Sequence, residues 1–260
     1  SEDGSTCWRL NEKGYCHFLN KDGLCRLVLE LGEDALCDIC REHPRFYKYP
    51  CSAALSGTGL CCERTVEEIA GHLPLTFDLQ DPEAAEQKPM TVTFSQLMDE
   101  LLLPLSEEEC HFTLDLSPKA VSAMLDAMAD TEPIDAAWTK DLSWIQACAE
   151  DLVNEAKAHP PKVPAGFWDA IYQYIIYRQL DLASPEDGDQ PAVPVSVLAR
   201  FAAESTLFIY LEAVRTGDPF RAVSRWSEQI EYDTDNWRDQ IEELTSHFLL
   251  STPYSLIPNP

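Results

Sequence analysis

Basic residues are scarce in this chain: 19 Lys and Arg face 45 Asp and Glu, a formal net charge of −26. A surface of that sign repels phosphate backbones instead of releasing their counterions, which argues against a nucleic-acid partner. It either draws in cations, such as a lysine-bearing protein surface, or serves solubility alone. Long apolar runs are missing too: none approaches the roughly 18–20 residues needed to cross a bilayer, so no membrane role is expected. The opening residues, SEDGSTCW, have neither the basic nor the apolar region of a signal peptide. The expectation is a cytoplasmic protein. The chain also starts without methionine, which reads as a fragment whose true N-terminus lies upstream. Beyond residue 62 cysteine almost disappears, with Cys110 and Cys148 alone in the remainder.

What is present is enough to fold. The 260 residues are 45% hydrophobic and 10% aromatic, the composition of a chain with a buried core. From Thr93 onward the apolar spacing is helical. Phe94, Leu97, Met98, Leu101 and Leu102 fall three and four apart, on a stretch ending at Pro104. Ser106 with Glu109 forms a capping box for a short segment, and Ser117 before Pro118 is an N-cap opening a helix with Val121, Met124, Leu125 and Met128. A longer helix is predicted over 134–158, with Trp138, Leu142, Ile145, Cys148 and Leu152 on one face and a stop at Pro160 and Pro161. That reading puts Cys148 in the core. FWDAIYQYIIYRQL, after Gly166, has few strongly polar residues and should lie in the middle of a bundle. Two more helices are predicted, over 195–214 and 219–249, and short strands around Thr91 and over His111–Leu114. The fold class expected is mainly α: a loop-rich, cysteine-bearing metal module packed on a C-terminal helical bundle. Its parts are a module at 1–75, a proline-bearing connector at 76–92 and a helical domain at 93–260.

Eight of the ten cysteines, Cys7, Cys16, Cys25, Cys37, Cys40, Cys51, Cys61 and Cys62, precede residue 63. Clustered thiols have three explanations. Disulfides suit small secreted domains without a core, a context this chain does not suggest. Structural zinc prefers two close ligand pairs, and here Cys37–Cys40 is the one clear CxxC. An iron–sulfur cluster can take thiolates from distant loops, so irregular spacing counts less against it, and it is the preferred occupant. Some cysteines serve only as packing residues, with Cys7 and Cys51 the candidates. His43, beside Pro44, is a further candidate as ligand or general base, or as a turn residue shielding the metal.

CHFLNKDGLC (16–25), LGEDALCDICREHPRF (31–46) and GTGLCCE (57–63), in that order and spacing, resemble the flagellin lysine-N-methylase family, also called FliB. The same order of cysteines resembles a broader group of zinc- or iron-chelating proteins. Farther on, YIIYRQL and EQIEYDTDNW are similar to that family's aromatic-Tyr-Arg helix and its Glu-Tyr-to-Asn segment. The resemblance implies Cys16, Cys25, Cys40 and Cys62 as cluster-associated positions, because Cys37 and Cys61 stand where relatives often have serine. It also implies a CC-containing segment upstream that this chain does not include. As activity it implies methyl transfer from S-adenosylmethionine to lysines of flagellin, in the bacterial cytoplasm before assembly of the flagellum, by a protein with an iron–sulfur cluster, of the 4Fe-4S type, or with zinc as the alternative metal.

The residues themselves show less. The lone GxG, Gly57-Thr58-Gly59, abuts a cysteine pair and is no dinucleotide-type turn, and the radical-enzyme CxxxCxxC is missing, so no donor site is marked. Amine methylation requires a deprotonated lysine, hence carboxylate or tyrosine partners in a partly dry pocket. Glu231, Tyr232, Tyr177 and Arg178 are the candidates. The bland alternative makes Tyr177 a core residue, Arg178 the partner of a carboxylate on a neighbouring helix, and Glu231 a solvated residue. A metal-binding protein without catalysis, or a zinc-stapled interaction module whose acidic helices dock a basic partner, are the competing functions.

Overall fold

The computed structural model describes residues 10–12, 15–50, 53–79, 88–184 and 192–251. The protein is mainly α-helical, with eleven α-helices and four short strands among the described residues. It divides into two compact units, Ser1–Phe46 and Tyr47–Pro260. The division falls inside the stretch 1–75 that the sequence presents as one module. Cys7 and Cys51 lie outside the described residues. Among the described residues no helix is long and apolar enough to cross a membrane.

Among the described residues, turns and not a core shape the smaller unit. Leu10 bridges to Cys16 and Leu19 to Cys25. The Asn20 side chain accepts from the backbone N–H of Asp22 and of Leu24, each at 2.9 Å, and Gly23 closes the turn at φ 78°, a conformation that a Cβ disfavours. Two short helices follow, α1 (Arg26–Leu31) and α2 (Asp38–Glu42), with a 3₁₀ turn at Glu33–Ala35 between them. Neither α1 nor α2 buries a single residue. Among the described residues of this unit only Phe46 is buried, while Leu29, Leu31 and Ile39 are 60%, 67% and 77% exposed.

Strand β1 (Arg45–Lys48) runs across the division, and β2 (Leu55–Thr58) leads through Gly59–Cys62 into α3 (Glu63–Gly71). The flanks of the expected connector pair as β3 (Phe77–Leu79) with β4 (Met90–Val92), antiparallel, Asp78 opposite Thr91. Thr93 then opens α4 (Phe94–Glu100) with a full capping box to Gln96. Ser106 and Glu109 do bond reciprocally, yet they close only a turn. Leu102, expected on the apolar face, is 85% exposed at φ 56°, because α4 has ended before it.

Helix α5 (Pro118–Ala129) starts as expected, Ser117 accepting from the N–H of Ala120. The helix expected over 134–158 breaks at Cys148, where φ −113° and ψ 17° leave the α region. It becomes α6 (Ala136–Ala147) and α7 (Ala149–Ala158). The break lets α7 lay Leu152 and Ala156 against a neighbour while α6 keeps Trp138, Leu142 and Ile145 buried. Cys148 is half-buried at that joint, not in the core. Residues 111–114 form no strand, since Phe112 gives its N–H to the Asp169 side chain and Cys110 its carbonyl to Gln173.

Helix α8 (Phe167–Arg178) is buried through most of its length, but the centre belongs to α9 (Val195–Thr216), buried without interruption from Ser205 to Ala213. It packs against α5, α7, α8 and the two helices that follow. Those are α10 (Pro219–Trp226) and α11 (Thr234–Ser251). The single helix expected over 219–249 is parted by a π-helical turn at Ser227–Glu231, a widening that recurs at functional sites. Asp233 restarts the helix, its carboxylate accepting from the N–H of Asn236 at 3.1 Å.

Candidate functional site

Two groups of chemistry-bearing side chains stand out, one in each unit. In the smaller unit the bridges at Cys16 and Cys25 and the N-terminus of α2 bring four thiols into one neighbourhood. Hydrogen bonding to Cys37, some burial and the negative charge of Cys37, Cys16 and Cys25 hold the Cys40 thiol above its ordinary range. A cation reverses such a shift, because a coordinated thiol loses its proton outright. Among the described residues, however, no three His, Cys, Asp or Glu side chains are drawn close enough to hold a metal ion. The residue types are those of a thiolate-ligated metal. His43, at the end of α2, is exposed.

The second group is built on the run from β2 to α3. Three pins fix it. The Tyr177 hydroxyl donates to the Ser56 carbonyl at 3.0 Å. The Tyr174 hydroxyl lies 3.0 Å from the Thr58 carbonyl and donates to Glu231 Oε1 at 2.8 Å. The Leu60 N–H donates to Glu231 Oε2 at 3.1 Å. Arg178 Nε adds a bond of 2.9 Å to Oε1 and Ser227 Oγ one of 2.5 Å to Oε2. Spacing explains the convergence: Tyr174, Tyr177 and Arg178 share one face of α8 at intervals of three and four.

The Glu231 side chain is 1% exposed, and that of Arg178 17%. Four donors fill the acceptor sites of its two oxygens. That makes Glu231 an anchor for the cysteine-bearing turn, with no lone pair left to take a substrate proton. It is not the solvated residue of the bland reading, whereas Arg178 does pair with a carboxylate from a neighbouring helical segment. Burial and the Glu231 charge hold the Tyr174 hydroxyl well above the usual phenol range.

Tyr232, the next residue, is 39% exposed. Its phenol lies so close over Gly59 that a Cβ there would collide with the ring, the close approach glycine permits. Its hydroxyl also bonds the Cys61 thiol. Burial pushes that thiol up to about 11, the Tyr232 bond opposes the shift, and the Glu231 and Cys62 charges reinforce it. Cys61 is therefore a neutral thiol near pH 7. Cys62 occupies the N-cap position of α3 and is half-buried.

Of the residues expected from the sequence, Glu231 and Arg178 meet directly, Tyr177 pins the same run, and Tyr232 covers its turn. Cys16, Cys25 and Cys40 share the smaller unit, and Cys62 belongs to the larger. Sequence reasoning missed Tyr174, Ser227, Gly59 as a close-approach position, and Cys37 as the contact of Cys40. Tyr174 was within reach, four residues before Arg178 on one helix face. Three segments far apart in the chain, GTGLCC, YIIYR and EQIEY, meet here. No known protein family, curated protein or solved structure matches the chain.

Proposed function

We propose that this chain is a thiolate metal protein with an iron–sulfur cluster in its smaller unit, and that it acts as a lysine N-methyltransferase on flagellin. One observation supports the metal: four thiols fall within the smaller unit, of whose described residues Phe46 alone is buried. So short a segment needs a staple in place of a core. Cys16, Cys25 and Cys40 would hold the cluster, with Cys37 in the fourth place that the motif resemblance gives to Cys62. When bound, the cluster supplies the cross-link that packing does not.

Methyl transfer rests on the motif resemblance and on the convergence of its segments. The Gly57–Gly59 turn is no cradle for S-adenosylmethionine, since Tyr232 covers it and Glu231 takes the N–H of Leu60. No step is routed through the donor. Within this reading Glu231, Arg178, Tyr174 and Tyr177 are positioning residues for the cysteine-bearing turn, and Tyr232 is the exposed polar group there.

The test is anaerobic purification of the full-length protein with iron, zinc and sulfide analysis and an optical spectrum, repeated on Cys16→Ala and Cys40→Ala. Iron with matching sulfide, lost in both variants, is the expected result. Zinc, or no metal with intact folding, overturns the cluster. A loaded protein that leaves the mass of flagellin unchanged in the presence of S-adenosylmethionine retires the methyltransferase. It leaves the second reading, a non-catalytic zinc- or iron-binding protein, which the sparse burial among the smaller unit's described residues favours on its own.

A further inference from the structure

The N-terminal end of α8, Tyr210 of α9 and the loop that carries Phe112 and Leu114 border an open cleft of about 270 Å³, lined by Phe112, Leu114, Gly166, Trp168, Asp169 and Tyr210. It lies among residues the cysteine-centred site does not use. Trp168 and Tyr210 meet edge to face, ring centroids 5.1 Å apart at 62°, so they form two walls of a corner. Phe112 supplies a third ring, itself set against Tyr172 at 6.0 Å. The loop is held to α8 by three bonds: Tyr172 hydroxyl to the Glu109 carbonyl at 2.7 Å, Gln173 to the Cys110 carbonyl at 3.0 Å, and the Phe112 N–H to Asp169 Oδ1 at 2.7 Å. These preorganise the rings before any ligand arrives.

Asp169 sets the sign of the ligand. Asp169 lines the aromatic corner, its Oδ1 accepting from the Phe112 N–H and its Oδ2 3.1 Å from His111 Nδ1. Among the described residues no Lys or Arg pairs with it. Aromatic faces and a carboxylate both attract cations and repel anions, and together they are the recognised receptor for ammonium groups. The chain's net charge of −26 steers cations toward it. The volume is at the small end for ligand pockets, suited to one side chain or headgroup and too small for a nucleoside.

We infer that this pocket binds an alkylammonium group, the side-chain head of lysine or methylated lysine. The site stands on its own geometry and survives a failed methylation assay or a failed metal analysis.

The experiment follows the indole N–H signals of the full-length protein by NMR during titration with tetramethylammonium, with acetyl-lysine amide and its trimethylated form, and with neutral 3,3-dimethylbutanol. Trp168→Phe assigns the responding indole. Saturable shifts at Trp168 with the cations, and none with the alcohol, are the expected result. Asp169→Asn keeps an oxygen for the Phe112 N–H and so preserves the loop. It should weaken cation binding at least about fivefold. Tighter binding of the lysine amides than of tetramethylammonium supports the site and identifies a peptide side chain as its source; the reverse order supports it with a small quaternary ammonium. Equal binding of the alcohol, an unaffected Asp169→Asn, or no saturable response with the native fold overturns the inference.

Discussion

Two oxygens of Glu231 meet four donors from three parts of the chain, and few residues here are so completely committed. Removing one partner of a buried, bonded ion pair leaves the other charge uncompensated, so Glu231→Gln should cost about 3–5 kcal/mol. Its amide would also turn an N–H toward donors that expect an acceptor. Urea or thermal unfolding of the variant measures this, and a loss under about 1 kcal/mol would show that the bonds contribute little beyond those of exposed pairs. The sequence drew attention to Glu231, Arg178, Tyr177 and Tyr232 through motif order and the chemistry of amines. It did not disclose their roles. Whether a carboxylate acts as base or anchor depends on who donates to it, and here three of the four donors lie 53, 57 and 171 positions away. No local spacing encodes that.

At the scale of elements, helix starts were legible because capping is local chemistry, as at Ser117–Pro118. Interruptions were not. Apolar periodicity runs through Cys148 and through 227–231 alike, so nothing in the pattern separates a straight helix from a broken one. The start of α6 yields a pH-dependent prediction. Asp135 Oδ1 accepts from the Trp138 N–H at 2.8 Å and from Arg225 at 2.6 Å. Those bonds, the Trp138 N–H first, hold its carboxyl below the usual aspartate range. A depressed folded pKa gives stability that is present above the unfolded value and lost as pH falls through the folded one. Asp135→Ala should therefore cost about 1 kcal/mol near neutrality, as for other N-caps. The gap between variant and parent should close below about pH 4. Chemical denaturation at pH 7 and pH 3 checks it, and an equal gap at both would remove the carboxylate from the explanation.

For the molecule as a whole, mainly helical architecture followed from composition and period. The division after Phe46 did not, because contact density, not cysteine spacing, sets it. Among the described residues the smaller unit buries only Phe46, whereas α8 and α9 are buried over long stretches. Stripping metal with a chelator should abolish hydrogen-exchange protection across residues 15–46 and leave α8 and α9 unchanged. Equal protection before and after would mean that the unit needs no ion. The pins on the cysteine-bearing turn also carry a schedule. Leu60 waits for Glu231, 171 residues later. At synthesis rates of about 5–20 residues per second that is a delay of roughly 10–30 seconds. During translation Cys61 and Cys62 therefore emerge on an unpinned turn long before their scaffold exists, and their final geometry waits for it.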